Sequence, residues 1–269
     1  MANMKGYNWN AQDYAQNSAN QFQWAKELIP KLTLQGNEAL LDIGCGDGKI
    51  TAELARYLPN GRVVGVDSSK EMIRLAQHNF PNKDYPNLSF QVMDARKLTF
   101  QSEFDRVFSN AVLHWIVDQK AVLCGVQRSL KPGGRLLFQM AGKDNAKDIL
   151  CIIDELAAVE PWKKFFGNFP FPYGFYDTEE YKAFLHEAGL APLRLELFPR
   201  DMKFNDAEGL AGWIRTTWLP YTEKVPVELR AKFEQEIVNR YLERHQADDA
   251  GTVHVGMMRI EVEAYKPLT

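Results

Sequence analysis

One acid and three glycines stand at two-residue spacing in one short stretch, Asp42, Gly44, Gly46 and Gly48, which directly follows an apolar run. Glycine allows the backbone to turn tightly and allows a ligand to approach it without a Cβ in between. Three glycines in five positions after a buried strand therefore predict a loop that holds a ligand. The following residues, 49–58, place apolar side chains at helical spacing, so a helix should begin at that ligand.

Two more acids stand at the ends of later predicted strands. Asp67 closes the second strand, nineteen positions after Gly48, where a carboxylate can accept both hydrogen bonds of a ribose diol. Asp94, followed by Ala95, closes the third strand and can hydrogen-bond an adenine amino group. A solvated strand-end acid is the alternative for Asp67, and a turn-forming acid is the alternative for Asp94.

A polar pair, Ser109 and Asn110, ends the strand predicted over residues 104–109. The carboxyl end of a strand is where a doubly wound sheet opens its ligand crevice. His114 and Trp115 follow and should project into or over that crevice. The alternative is that Trp115 is a core residue and His114 is its hydrogen-bonded neighbour.

These residues stand at the ends of predicted strands. Strand and helix patterns alternate through five units of the sequence, and this alternation predicts a parallel sheet with helices on both faces. We therefore predict an α/β protein with a doubly wound, mostly parallel seven-stranded sheet. The predicted strands are residues 39–43, 62–66, 87–93, 104–109, 135–140, 192–198 and 257–265. The predicted helices are residues 18–32, 49–58, 118–130, 177–189, 206–218 and 226–245, and a capping box at Ser68 begins one more.

Composition narrows the function classes. The 269 residues carry a net charge of −3, which offers no basic surface for a dedicated nucleic-acid binder. Three cysteines are too few and too scattered for a disulfide framework or a zinc cluster. The polar N-terminal residues lack the apolar core of a secretion signal, and no apolar run reaches membrane-spanning length. We expect a cytoplasmic protein that is not bound to a membrane.

The order of the loops resembles that of class I S-adenosylmethionine-dependent methyltransferases over residues 39–140. The similarity is carried by Asp42-x-Gly44-x-Gly46-x-Gly48, then Asp67, Asp94-Ala95, the polar pair after strand four and the Lys131-Pro132-Gly133-Gly134 turn. A dinucleotide fingerprint would need a glycine at position 49, where lysine stands. An oxidoreductase is therefore the weaker alternative.

The resemblance implies a Rossmann-like methyltransferase fold, with S-adenosyl-L-methionine as cofactor, S-adenosyl-L-homocysteine as product and no metal. The cofactor contacts that it implies are Tyr14, Gln21, Asp42, Gly44, Cys45, Gly46, Asp67, Ser68, Met72, Asp94, Ala95, Asn110 and Leu113. For Tyr14 and Gln21, a solvated helix face is the alternative.

Two insertions depart from the alternating pattern. Residues 143–176 are rich in aromatic and proline residues that could line an apolar pocket or form a satellite core. Residues 205–252 contain WIRTTWLPYTEKVPVELRAKFEQEIVNRY, which with NAVLHWIVD resembles the branch of trans-aconitate and juvenile hormone acid methyltransferases. We predict a single domain, 1–269, in which both insertions form a substrate lid.

Enzymes of that branch esterify carboxylates, which implies a small-molecule acid as substrate. A monomer is one expectation for the chain, and the sequence itself does not indicate the oligomeric state. A carboxylate is already ionised and needs an anchor more than a base, and arginine is its planar partner. The candidate catalytic residues are His114 and Trp115, and the candidate substrate contacts are Trp115, Arg215, Tyr221 and Arg259. The arginines could instead be surface ion-pair residues. His114 could be a base toward a hydroxyl or amine, and a non-catalytic S-adenosylmethionine-binding protein is the alternative of another class.

Overall fold

The computed structural model describes residues 19–268, with side chains from Phe22 onward. Its strands are β1 (Ala39–Ile43), β2 (Arg62–Asp67), β3 (Leu88–Val92), β4 (Phe104–Asn110), β5 (Leu130–Ala141), β6 (Ala191–Phe204) and β7 (Val253–Tyr265). Its helices are α1 (Ala19–Leu28), α2 (Lys49–Arg56), α3 (Lys70–Asn79), α4 (Gln119–Ser129), α5 (Lys147–Ala157), α6 (Thr178–Glu187), α7 (Ala207–Thr217), α8 (Leu219–Thr222) and α9 (Val227–Arg244). Short 3₁₀ turns lie at Ile29–Leu32, Ala95–Lys97, Leu113–Trp115 and Lys163–Phe165.

The strands form one seven-stranded sheet in the order β3-β2-β1-β4-β5-β7-β6. The pairs from β3 to β5 are parallel, and β7 runs antiparallel to β5. Parallel neighbours need crossover helices, and these supply the two outer layers. This confirms the predicted doubly wound, mostly parallel sheet. Among the described residues, none of the helices has the length and apolarity needed to cross a bilayer.

The two faces of the sheet bury different helices. On the front face, defined by Phe108 and Leu137, the sheet packs with apolar residues of α1, α2 and α3 such as Leu28. On the back face, defined by Val107 and Phe138, it packs with residues of α4 and α6. Residues two apart on a strand share a face, so each face can be followed beyond these positions by register.

The chain divides into two compact units. The first, which holds most of the sheet, contains Gln21–Lys143, Tyr173–Phe198 and residues from Arg259 onward. The second contains Asp144–Pro172 and Pro199–Met258. The single domain with a lid formed by residues 143–176 and 205–252 stays a prediction.

The second unit has a core of its own, built from aromatic rings on α7, α8, α9 and the segment between α5 and α6. Trp162 is buried, its ring lies 5.0 Å from that of Phe233, and its Nε1 donates to Glu236 at 2.9 Å. Phe166 packs on the same phenylalanine, and Trp213 meets Trp218 edge to face. Part of the aromatic segment is therefore core, as one of the two alternatives proposed.

Several predicted boundaries need correction. Strand β5 begins at Leu130, because the predicted Pro132-Gly133-Gly134 turn is an irregularity inside the strand, where Gly133 N–H bonds to Lys266 C=O at 2.8 Å. Strand β6 continues past Pro199, which an edge strand tolerates. Helix α3 is capped by Ser69, not Ser68, since the Ser69 hydroxyl accepts from Met72 N–H at 3.2 Å.

Helix α5 was not predicted, although its apolar residues recur at helical spacing. The spacing of Ile149, Ile152, Ile153 and Leu156 carries the signal, and all four side chains are buried. The aromatic and proline residues that follow favoured the interpretation of the whole segment as an irregular insertion.

Candidate functional site

The glycine loop between β1 and α2 is held against the end of β2. The N–H groups of Gly44 and Cys45 both donate to Val66 C=O, at 2.7 and 3.0 Å, and Gly46 N–H donates to the Asp67 carboxylate at 3.1 Å. Cys45 is buried, and its burial together with the negative charges of nearby acids raises the pKa of its thiol. The loop is therefore fixed before any ligand arrives.

The three glycines of the loop all have positive φ but have different surroundings. A Cβ on Gly44 would lie 2.4 Å from the side chain of Val112, and one on Gly48 would lie 2.7 Å from the ring of Phe90. A Cβ on Gly46, whose φ is +53°, would meet nothing within 4 Å. Gly44 and Gly48 are thus needed for packing, whereas the open space beside Gly46 is a cradle that a ligand can occupy.

Asp67 closes β2 beside that cradle and joins two elements. One carboxylate oxygen accepts from Gly46 N–H, and the other accepts from Ser69 N–H at 2.8 Å. Burial raises the pKa of this carboxyl, and the backbone N–H bonds oppose that shift. Each carboxylate oxygen keeps further acceptor capacity, so a ribose diol can still bind here. Ser68 is exposed beside it, and Met72 is buried in α3.

Asp42 is the fourth residue of β1, two positions before Gly44, and is 2% exposed. Burial raises the pKa of its carboxyl to about 7, although the Thr51 hydroxyl donates to it at 2.7 Å and favours the charged form. The nearby Asp67 carboxylate raises that pKa further. A bound cation would reverse this effect, since an opposite charge favours the ionised carboxylate.

Asp94 forms an ion pair with the side chain of its neighbour Arg96. Arg96 Nη2 lies 2.6 Å from Asp94 Oδ2, and Arg96 Nε donates to the same carboxylate, which lowers its pKa. Ala95 is buried against the back-face core. The predicted adenine contact at Asp94 and Ala95 stays a prediction, and there the carboxylate would share its oxygens with Arg96.

The segment after β4 carries the next predicted residues. Asn110 is buried at the end of the strand, Leu113 packs in the back-face core, and His114 is 7% exposed within a 3₁₀ turn. Val112 packs against Gly44 of the cofactor loop, which fixes the segment beside that loop. Trp115 is half-buried next to His114.

Burial lowers the pKa of His114 well below its usual range, and the positive charge of Arg259 lowers it further. The imidazole is therefore neutral near pH 7. Among residues 19–268, its Nδ1 has no hydrogen-bond partner. A neutral imidazole with so low a pKa is a weak general base, because proton transfer to it has little driving force.

Aromatic rings enclose this turn on one side. Tyr173 and Phe175 stack at 5.1 Å, and Tyr173 meets Trp115 edge to face at 5.2 Å. Gly174 N–H donates to His114 C=O at 2.8 Å, which fastens the segment to the turn. These two aromatic residues thus lie beside the predicted catalytic pair.

Arg259 lies on β7, is 2% exposed and pairs in register with Ala141 of β5. Its guanidinium carbon lies 5.2 Å from the centre of the Trp24 ring of α1, a cation–π distance. The first unit thus places a buried positive charge within electrostatic reach of His114.

The remaining predicted residues belong to the second unit or lie outside the described residues. Arg215 is exposed on α7, and Tyr221 is buried in the aromatic core of the second unit, 5.2 Å from Phe169. Tyr14 and the side chain of Gln21 lie outside the described residues. Within the described residues, no group of three or more His, Cys, Asp or Glu side chains could hold a metal ion.

Two buried polar residues beside Arg259 were missed by the sequence analysis. Gln139 on β5 and Glu261 on β7 are 2% and 0% exposed, and Gln139 Nε2 donates to Glu261 at 3.1 Å. Each interrupts an otherwise apolar strand sequence, LLFQMA and MMRIEV, and this interruption is the signal that could have revealed them.

Comparison with known proteins agrees with this geometry. The model of the methyltransferase domain family matches residues 34–189. A methyltransferase of Schizosaccharomyces pombe is 32% identical over 77% of this chain and 79% of its own. A trans-aconitate 2-methyltransferase of Methylobacterium radiotolerans is 30% identical over 84% of this chain and 85% of its own.

A solved structure shares the fold and contains the expected cofactor. It is Haemonchus contortus phosphoethanolamine N-methyltransferase 2 in complex with S-adenosyl-L-methionine. The TM-score is 0.60 at 20% identity, over 96% of this chain and 56% of that one.

Replacing Gly46 with alanine should weaken S-adenosylmethionine binding at least tenfold, because the new methyl group enters the open cradle; the strain of positive φ should also cost roughly 1–2 kcal/mol of stability. Gly251→Ala is the matched control, since Gly251 has φ +82° and also has nothing within 4 Å. Calorimetry and thermal unfolding should give both variants a similar stability loss and only Gly46→Ala an affinity loss. Equal cofactor affinity in the two variants would contradict the cradle.

Asp67→Ala should raise the dissociation constant of S-adenosylmethionine at least tenfold, or about 1.4 kcal/mol, because a charged acceptor of hydrogen bonds is lost. The exposed Asp84→Ala is the control for a change of charge alone. Titration calorimetry of both folded variants makes the comparison, and unchanged affinity in Asp67→Ala removes the ribose assignment.

Asp42→Asn should change how stability depends on pH. The folded-state pKa of about 7 lies above the ordinary 3.8, so the folded protein keeps a proton that the unfolded chain releases. The wild type should therefore lose stability relative to Asp42→Asn as pH rises from about 4 to 7, by at most about 4 kcal/mol, and the difference should level off above pH 7. Urea unfolding at pH 5, 7 and 9 without cofactor measures it; a difference that is constant with pH contradicts the assignment.

Proposed function

Because the chain belongs to the methyltransferase domain family and is a class I enzyme whose cofactor is S-adenosylmethionine, we propose that it methylates the carboxylate of a small organic acid. When bound, the cofactor supplies an electrophilic methyl group on a sulfonium. The protein then has to hold the carboxylate in line with that methyl group and exclude water. Such orientation can contribute about 7–11 kcal/mol to lowering the barrier.

The structure of the glycine loop and its neighbouring acids also suits this cofactor. The open face of Gly46 and the remaining acceptor capacity of Asp67 suit an adenosyl group. The buried carboxyl of Asp42, with a pKa of about 7, suits a ligand that brings positive charge to the loop. Asp94, Asn110 and Leu113 remain proposed contacts.

The observation that carries the choice of acceptor is the buried Arg259 next to a neutral His114. A guanidinium offers a planar pair of N–H donors that a carboxylate accepts, and a low-dielectric site strengthens these bonds. The positive charge of Arg259 also disfavours the protonated imidazole. Arg259 can therefore hold an anion while His114 stays uncharged.

A carboxylate acceptor needs no base, because it is ionised at neutral pH. Alcohol or amine acceptors lose a proton during methylation, and the low pKa of His114 makes it poorly suited to receive one. The name of the Methylobacterium relative, which specifies trans-aconitate, supports an acid as well. Trp115, with Tyr173 and Phe175, is proposed as the apolar wall that shields the reacting carboxylate from water.

Arg259→Met should lower kcat/KM for the best acid substrate at least tenfold, because each charged hydrogen bond contributes roughly 1.5–3 kcal/mol. S-adenosylmethionine affinity should stay near that of the wild type. The assay incubates the enzyme with methyl-labelled cofactor and a panel of organic acids, and it measures label in base-labile product, since an ester is cleaved by base.

Arg135→Met is the matched control, because Arg135 is an exposed arginine on the neighbouring strand of the same sheet. If Arg259→Met methylates the acid as well as the parent does, the anchor is wrong. A base-stable product indicates an ether or an amine, and His114 then becomes the residue to test as a base. Cofactor binding with no transfer to any acceptor would favour a non-catalytic binding protein.

A further inference from the structure

Gln139 lies between two polar residues in one row on the front face of the sheet. Asn110 pairs in register with Gln139, and Gln139 pairs with Glu261. Arg259 is two residues from Glu261 and therefore shares the same face. Asp42 of β1 pairs in register with Phe108 of β4. Gly44 and Asn110 each follow two residues later, so the row begins beside Gly44 of the glycine loop.

Glu261 is a fixed hydrogen-bond acceptor for this row. Lys31 Nζ lies 2.8 Å from its carboxylate, and Arg194 forms a second ion pair with it. Burial raises the pKa of Glu261, but these cations and the Gln139 amide outweigh burial, so its pKa is lowered. The carboxylate stays ionised, and an ionised carboxylate only accepts hydrogen bonds.

This acceptor sets the orientation of the Gln139 amide. The amide must turn its NH₂ group toward Glu261, and the observed Nε2 to Oε2 distance is 3.1 Å. Its carbonyl oxygen is then turned away from that carboxylate. Among the described residues, this Oε1 is buried and accepts no hydrogen bond. Buried polar atoms without a partner are uncommon and call for an explanation.

We propose that Gln139 is a specificity-determining residue whose Oε1 accepts a hydrogen bond from a donor group on the methyl acceptor, and that Glu261 is the residue that positions it. This inference rests on the proposed function and names its substrate class further. Arg259 and Gln139 lie on neighbouring strands, offset along the strand direction by two residues, or about 7 Å. The preferred acid therefore carries a hydroxyl close to the carboxylate that Arg259 holds.

The test compares acids that differ by one hydroxyl, namely malate with succinate and 3-hydroxybutyrate with butyrate. The wild type should methylate the hydroxylated member with at least tenfold higher kcat/KM, and Gln139→Met should bring that ratio close to one by raising KM for the hydroxylated acid alone. Glu261→Gln should also lower the ratio, because an amide at 261 can donate as well as accept and lets Gln139 turn over.

Asn87→Leu is the control, since Asn87 Nδ2 donates to the carbonyls of Ala55 and Leu58 at the opposite end of the sheet. This variant should lose stability and keep the ratio. If Gln139 had only a structural role, Gln139→Met would also lose stability and keep the ratio. Equal methylation of both members by the wild type overturns the inference and leaves the proposed function intact. Base-labile label in none of the acids overturns both.

Discussion

The carboxylate of Asp67 connects the glycine loop with the start of α3, and these two elements form the cofactor site. It accepts one N–H from the glycine loop and one from the start of α3, so the end of β2 fixes the loop on one side and the helix on the other. Burying a carboxyl is costly, and the two backbone donors are what make the position tolerable. The segment after β4 then packs on the fixed loop at Val112.

Much of this could be predicted from the sequence, because the relevant signals are local. The acid and glycine spacing predicted Asp42 and Asp67 near strand ends and Gly46 in a ligand-holding loop, and strand–helix alternation predicted the sheet. Bounds were wrong where tertiary contacts decide them. Strand β5 continues through a Pro-Gly-Gly irregularity because Gly133 and Gly134 pair with Lys266, more than one hundred residues away.

The functional residues that were missed show the same limit in another form. Gln139 and Glu261 are 122 positions apart, and their meaning appears once two strands lie in register. Nothing in the sequence near Gln139 indicates which end of its side-chain amide, the carbonyl oxygen or the NH₂ group, faces Glu261. That choice follows from a carboxylate on the next strand and from two cations that keep it ionised.

The cysteine of the cofactor loop has a consequence for redox chemistry and for labelling. Cys45 is buried between two glycines, and the raised pKa of its thiol keeps it from becoming the thiolate that reacts with oxidants and alkylating agents. Cys151 on α5 is exposed. Cys124 on α4 is partly buried. A maleimide dye should therefore react at Cys151 and, to a smaller degree, at Cys124, and it should leave the glycine loop unmodified. The loop itself carries a sulfur atom but is not built as a redox sensor.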